Sequence, residues 1–382
     1  MAPRAELARF AALYAALYAA FGVASPFLPA FVSARGLPAQ ELGMVLAAGT
    51  AVRLVTSPLA GRIADRAGAL RLVLAACAAA AACATLAYLP ARGFWTFLAV
   101  VLLQAATLAP VSVLADALAL GAAASARRPF EYGWVRGTGS AAFIAGTLAS
   151  GQAIGVFGLA VVVTLQSLLL GAAALAALAV PELAHPPKNA RAQAGGVLRL
   201  LKIPAFRTLV LCAALILGSH AMQDAFAVIR WSEAGIGSAA SSLLWSESVA
   251  AEVLVFFLIG PRLVSRLTPA GAIALAAAAG VLRWSVMAQS AQLPVLALVQ
   301  PLHGITFALL HLACMRLIRD VVPAGLEGTA QALYGTVGIG AASALLTLAS
   351  GALYARAGAG GFWVMAALCA LALPVAWKLR RN

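Results

Sequence analysis

The chain has 382 residues, of which 63% are apolar and only 10% charged, and its mean hydropathy is +0.97. A soluble domain carries roughly 25% charged residues, so the composition excludes that class and leaves an all-α polytopic membrane protein. A net charge of +14 would point a soluble protein toward nucleic acid, but the placement of the charges argues against a nucleic-acid partner here.

Apolar runs between short polar breaks predict twelve spans, at about residues 9–31, 41–60, 70–89, 94–120, 132–154, 157–180, 205–230, 241–264, 269–288, 292–315, 328–354 and 360–379. Each is long enough to cross about 30 Å of hydrocarbon at 1.5 Å per residue. Alternate loops carry the basic residues. Nineteen of the 26 Lys and Arg fall at the termini or in the even-to-odd loops, including Arg62, Arg66, Arg71, Arg127, Arg128, Lys188, Arg191, Arg262, Arg266, Arg316 and Arg319. The other side holds Arg35, Arg92, Arg230 and Arg356, while Arg53, Arg136 and Arg283 lie within spans. By the positive-inside rule both termini are expected in the cytoplasm. The first span is read as a retained helix, since it lacks a compact signal-peptide core and cleavage site.

Taken in order, the first span places Tyr14, Tyr18, Phe21 and Ser25 on one face, and Pro26 and Pro29 should bend it toward its outer end. The second carries Arg53, the fourth Asp116, and the fifth Arg136 within "YGWVRGTGS", where Gly133 and Gly137 form a small-xxx-small pair suited to close helix approach. A charge in hydrocarbon needs a partner. Asp116 with Arg136 or Arg53 is the simplest neutralisation, and Arg136 has the fork of donors that suits a carboxylate. "GRIADRAGALR" joins spans two and three and contains Gly61, Asp65, Arg66 and Gly68; "GPRLVSRLTP" joins spans eight and nine in a weak repeat, both with Gly at the helix end. Asp65 could cap a helix start or pair across a gate. The longest polar break, Pro181 to Gly196, divides six spans from six: a bundle over 1–180, a cytoplasmic linker over 181–204, and a bundle over 205–382. "VLRLLKIPAF" then reads either as a surface helix with Leu198, Leu201 and Phe206 inward or as a lead-in to span seven.

In the second half, His220 and Asp224 lie four apart, and Ser241, Trp245, Ser248 and Glu252 form a stripe that Glu247 does not share. Arg283 sits beside Trp284. Gln300, His303, Phe307 and His311 share one face of an apolar run over about 293–315, with His303 near mid-membrane. "QALYGTVG" stacks Gln331, Tyr334 and Gly338. Asp224, Glu252, Arg283 and His303 form one possible network, in which a buried carboxylate loads a proton and releases it when Arg283 approaches. The five cysteines lack metal-ligand or disulfide spacing. No HExxH, GxSxG or GxxxxGK[ST] pattern occurs, so no catalytic, cofactor or metal site and no ATP-driven chemistry is expected.

"GRIADRAG" closely matches the Gly-x-x-x-Asp-Arg-x-Gly loop signature of the major facilitator superfamily. "PFLPAFVSARGLPAQELGMVLAAGTAVRLVTSPLAGRIADRAG", "FEYGWVRGTGS" and "QPLHGITFALLH…AQALYG" resemble that superfamily's phenylpropionate-permease-like branch, related to the lactose permease and nucleoside–proton symporters. The resemblance covers most of the chain outside the central loop. It implies the major facilitator fold, twelve transmembrane helices in two pseudo-symmetric six-helix bundles, and alternating access driven by proton symport. "FEYGWVR" resembles the lactose permease's fifth-helix segment, which places Arg136 at its substrate-contacting arginine. Asp116 lies about one turn from the place of its partner carboxylate. Glu252, Arg283 and His303 resemble its eighth-, ninth- and tenth-helix polar residues. Two positions depart: Thr306 stands where a tenth-helix carboxylate is central to coupling there, and Gln300 replaces a nearby lysine.

The expectation is a proton-coupled importer of a small organic solute, such as an aromatic or other carboxylic acid. The alternatives are a nucleoside or sugar proton symporter, or a drug or metabolite effluxer. Tyr14, Tyr18, Arg136, Trp245, Gln300 and Gln331 are the expected substrate contacts. Asp116, Asp224, Glu252, Arg283 and His303 are the expected coupling residues, and Gly61, Asp65, Arg66 and Gly68 the expected gating motif. The proton is the coupling ion, no cofactor is expected, and the partners are the solute and the lipid bilayer. The protein should be a multi-pass monomer of a bacterial inner membrane.

Overall fold

A computed structural model describes residues 3–124, 130–182 and 196–379. Every regular element among them is helical. Among the described residues, nine helical stretches are long and apolar enough to cross a membrane. Two of them, Ser238–Gln289 and Glu327–Lys378, run 52 residues each, and Leu70–Leu86 is a shorter apolar helix. At 1.5 Å per residue a 52-residue stretch would measure about 78 Å, more than twice the hydrocarbon thickness.

The chain forms two compact units, Met1–Pro187 with Gly237–Leu243, and Lys188–Ile236 with Leu244–Asn382. In the first, α1 (Pro3–Ala24) is followed by a turn and then α2 (Leu28–Ala34). The break falls where Pro26 and Pro29 remove backbone donors. Next come α3 (Ala39–Ala67), α4 (Leu70–Leu86), α5 (Gly93–Ala123), α6 (Tyr132–Phe157) and α7 (Val161–Ala179). α1 packs against α6 and α7, α3 against α5, and α4 against α5 and α7. The core between them is largely Ala and Leu, including Leu74, Ala78, Leu114, Leu118, Leu170 and Ala173.

The crossing of α1 and α6 is close enough to exclude side chains. A Cβ on Gly22 would strike the Phe143 backbone, and one on Gly146 would lie 2.5 Å from the Ala19 carbonyl oxygen. Thr147 Oγ1 donates to the Gly22 carbonyl at 2.9 Å across the same contact. This corrects the sequence expectation. Gly133 and Gly137 are exposed and face open space; the close-packing Gly146 of α6 lies nine residues after Gly137, on the face toward α1.

α3 ends at Gly68, whose φ of 65° and ψ of 25° form a left-handed cap, with its N–H donating to Ala64 O. The last glycine of the loop signature is thus required by backbone geometry. The Asp65 side chain lies outside the described residues, as do Arg127, Arg128, Lys188 and Arg191 of the basic loops.

The second unit begins with α8 (Gly196–Leu201), α9 (Pro204–Gly218) and α10 (Ala221–Glu233). In α8, Gly196 and Leu200 are buried, whereas Leu198 and Leu201 are 62% and 46% exposed. The expected inward face therefore shifts, because six residues complete less than two turns before Pro204 starts a new helix. α11 (Ser238–Leu254) continues through a π-helical segment, Val255–Ile259, into α12 (Gly260–Gln289). Its first turns belong to the first unit, where Ser238 Oγ donates to Gly151 O at 2.7 Å. α13 (Leu293–Val299), a π-helical turn at Gly304–Leu309 and α14 (Leu310–Val321) follow. Then come α15 (Glu327–Leu333), a π-helical segment at Tyr334–Ala341, α16 (Ala342–Ala357) and α17 (Gly361–Lys378).

The repeat of the signature loop is looser than the sequence suggested. Gly260 does not end a helix; a Cβ there would lie 2.5 Å from Val255 O and from Leu312. The chain turns instead at Thr268, with φ 63° and ψ 161°, a region that costs a β-branched residue on the order of 1–3 kcal/mol. Glycine would remove that strain and lose about 0.5–1 kcal/mol of backbone entropy. Thr268→Gly is therefore expected to stabilise the detergent-solubilised protein by about 1 kcal/mol, seen as a higher thermal-unfolding midpoint. A lower midpoint would show that Thr268 contributes contacts outweighing its strain.

Candidate functional site

Two helix breaks build the polar centre of the second unit. The run over 293–315 is not one helix as the sequence suggested. Pro301 interrupts it, and Gln300 and Pro301 form a turn, with His303 N–H donating to Gln300 O at 3.0 Å and Gly304 N–H to Pro301 O at 3.1 Å. The second break separates α9 from α10 at Ser219 and His220, where His220 N–H donates to Leu217 O at 3.1 Å. Irregular backbone of this kind, together with π-helical turns, frequently marks functional sites in membrane helices.

Arg283 of α12 is fully buried and finds two neutral acceptors on the break. Its NH2 donates to Gln300 Oε1 at 2.7 Å, and its NH1 donates to His303 Nδ1 at 3.1 Å. Gln300 Oε1 also accepts from Ser248 Oγ of α11 at 2.9 Å. Because a guanidinium only donates, His303 Nδ1 must be unprotonated. The neutral ring then carries its proton on Nε2, which lies 3.5 Å from Glu252 Oε2. An Arg–His–Glu string results, with a fixed tautomer at its centre.

His220 has the opposite tautomer. Its Nδ1 lies 3.1 Å from Ile216 O and 3.2 Å from Leu217 O. Carbonyls only accept, so Nδ1 carries the proton. Nε2 therefore accepts from the Thr306 hydroxyl at 2.9 Å. The His220 and His303 rings meet edge to face at 5.2 Å. Trp284 Nε1 donates to Ser219 Oγ at 2.8 Å, which fixes the break from the opposite side.

Gly304 allows this assembly. A Cβ there would lie 2.6 Å from Ala251 O and 2.9 Å from Val255 Cγ2, so any larger residue would separate α11, which carries Glu252, from the segment that carries His303.

In the first unit, Asp116 of α5 accepts from Tyr14 of α1 at 2.5 Å and from Tyr132 of α6 at 2.8 Å. The expected ion pair of Asp116 with Arg136 or Arg53 is absent among the described residues. Arg136 NH1 instead donates to the Tyr18 hydroxyl, with its guanidinium 4.7 Å from the Tyr18 ring centroid. Tyr14 and Tyr18 stack at 5.5 Å. One turn apart on α1, they stand between Asp116 and Arg136, so hydroxyl donors satisfy the carboxylate and a π-face and a hydroxyl satisfy the arginine.

Among the described residues, the remaining expected residues make no side-chain hydrogen bond within these two centres. Asp224 is exposed and interacts with Arg283 through electrostatics without a hydrogen bond. Trp245 is buried, 9% exposed. Gln331 is exposed; Tyr334, on the same segment, is the residue that reaches inward, its hydroxyl 3.2 Å from His311 Nδ1. Arg53 is exposed to a cavity of about 580 Å³ that Gln104, Gln166, Phe21 and Phe143 also line. Sequence reasoning missed Ser248, His220 with Thr306, and Gln104 with Gln166 as hydrogen-bonding partners. Their signal was present as isolated polar residues in apolar runs. No group of three or more His, Cys, Asp or Glu that could hold a metal ion occurs among the described residues.

The family model described as the MFS_1 like family matches residues 7–365. The chain belongs to that family of major facilitator transporters. It is 32% identical over 369 residues to the probable 3-phenylpropionic acid transporter of Escherichia coli (strain K12), covering 92% of each chain. It is 25% identical over 369 residues to the maltose permease of Geobacillus stearothermophilus, covering 95% of this chain and 91% of that one. Its structure resembles that of the nucleoside transporter NupG in mutant form, with TM-score 0.86 and 16% identity over 98% of this chain and 99% of the other. The human organic anion transporter MFSD10 is also similar, with TM-score 0.64 and 18% identity over 98% and 99%. This transporter is therefore a multi-pass membrane protein with the major facilitator fold.

Gly304→Ala should cost about 1–3 kcal/mol by overpacking and should reduce transport by moving Glu252 away from His303. Thermal unfolding and uptake in proteoliposomes check both effects. Wild-type values for both would show that the two helices separate without consequence.

Proposed function

We propose that the protein is a proton-coupled importer of a small organic solute, an aromatic or other carboxylic acid, working by alternating access. The observation that carries the coupling reading is the Arg283–His303–Glu252 string. The relative named as a probable 3-phenylpropionic acid transporter supports the substrate class.

Glu252 is the proton carrier in this reading. His303 cannot take a second proton on Nδ1 without losing its bond from Arg283. Glu252 can be protonated without breaking that bond. Neutralising it removes the attraction of the carboxylate charge, 3.5 Å away, for the Nε2–H of His303. The change passes through the imidazole to Arg283 and Gln300, so the charge state of one carboxylate alters the link between α11, α12 and the Pro301 break. Thr306, occupied by His220, leaves no second carboxylate on the tenth span to share this role. Asp116, held by two tyrosine hydroxyls, is assigned to bracing the first unit together with Tyr14 and Tyr132.

We further propose twelve crossings, with each 52-residue stretch passing twice and Leu70–Leu86 completing the count. Both termini lie on the cytoplasmic side of the inner membrane, and the basic loops support that orientation.

Glu252→Gln is expected to abolish uphill accumulation of 3-phenylpropionate in proteoliposomes while preserving counterflow exchange. Accumulation at the wild-type level would remove Glu252 from the coupling role.

A further inference from the structure

The first unit contains a cation without a protein anion. Arg53 is the fifteenth of the 29 residues of α3, about 21 Å from either end at 1.5 Å per residue. With the helix centred in about 30 Å of hydrocarbon, that position is about 15 Å from either face, beyond the reach of an arginine side chain. Among the described residues Arg53 makes no hydrogen bond and no ion pair. Asp116, the carboxylate expected from the sequence to neutralise it, is already taken by Tyr14 and Tyr132. An unpaired guanidinium at this depth is costly to hold, and Arg53 faces a cavity of about 580 Å³, within the range of about 300–1,000 Å³ for small-molecule sites.

The polarity of the cavity floor is fixed by a chain of hydrogen bonds. Thr85 Oγ1 donates to Ala81 O at 2.8 Å, so it can only accept from Gln104 Nε2 at 3.1 Å. That orients the Gln104 amide, whose Oε1 accepts from the Tyr88 hydroxyl at 3.1 Å. Gln104 Nε2 also donates to Gln166 Oε1 at 3.3 Å. The oxygen of Gln166 is therefore occupied and its NH2 group is left to donate into the cavity that Gln166 lines. Arg53 and the Gln166 amide are both donors, and Ser112 adds a hydroxyl. Phe21 and Phe143 supply aromatic surface in the same cavity. The site thus combines a fork of donors with an apolar wall, complementary to a carboxylate attached to an aromatic or aliphatic body.

We propose that Arg53, not Arg136, anchors the substrate carboxylate, with the Gln166 amide as second donor and the body of the substrate against Phe21 and Phe143. This rests on the carboxylic-acid reading above. Arg136 is unsuited to the task because its fork is engaged by the Tyr18 hydroxyl and lies over the Tyr18 ring.

Calorimetric titration of the purified full chain with 3-phenylpropionate and with its uncharged amide tests this. The wild type should prefer the acid by about 10- to 100-fold, the value of a charge-assisted hydrogen-bonded pair. Arg53→Gln should bring the two ligands to equal affinity, by weakening the acid and sparing the amide. Arg53→Lys, which keeps the charge, should retain a smaller preference for the acid and guards against a folding defect in the glutamine variant. Retained acid preference in Arg53→Gln, or its loss only in Arg136→Gln, overturns the assignment of Arg53 and leaves the carboxylic-acid reading intact. Failure of the wild type to prefer the acid overturns both.

Discussion

Arg283 is the constraint on which the second unit depends. A buried guanidinium carries a desolvation penalty of several kcal/mol unless its donors are met, and here its two terminal nitrogens are met by His303 and Gln300, both neutral, while Nε finds no partner. Two consequences follow. His303 is locked into one tautomer, with its proton directed at Glu252. The backbone must also bring Gln300 and His303 to the same arginine, which the Pro301 break and the absence of a side chain at Gly304 accomplish. Breaks, glycine and polar string form one device.

The first unit treats its charges differently. Two tyrosine hydroxyls satisfy Asp116, and a third tyrosine supplies Arg136 with a hydroxyl and a π-face. Neither charge needs the other. That arrangement leaves Arg53 as the exposed cation of the cavity, next to an amide whose donor group is oriented by its own hydrogen bonds. The two units thus divide the labour in this account, with a donor-lined cavity in one and a carboxylate–imidazole–guanidinium string in the other.

Much of this was legible in the sequence. Apolar runs located the membrane helices, Pro26 and Pro29 marked a real break, and the polar residues Glu252, Arg283, Gln300 and His303 stood out because charges and amides are rare in such runs. What the sequence could not supply was cross-helix partnership. Asp116 was expected to seek an arginine, since opposite charge is the strongest single attraction, but tyrosines on α1 and α6 lie closer. Gly133 and Gly137 have the right spacing for close packing but face outward, because spacing fixes a face without saying which neighbour it meets. The π-helical segments and the Thr268 turn leave no periodic signal, and Gln331 was placed inward by a periodicity that the segment after Leu333 does not keep.

The central claim is that proton movement drives solute movement. Its most direct test is uptake of 3-phenylpropionate into proteoliposomes under an imposed proton gradient, acid outside, with and without a protonophore. The account predicts accumulation above the equilibrium level that collapses when the protonophore is added. Uptake that stops at equilibrium in both conditions would contradict it.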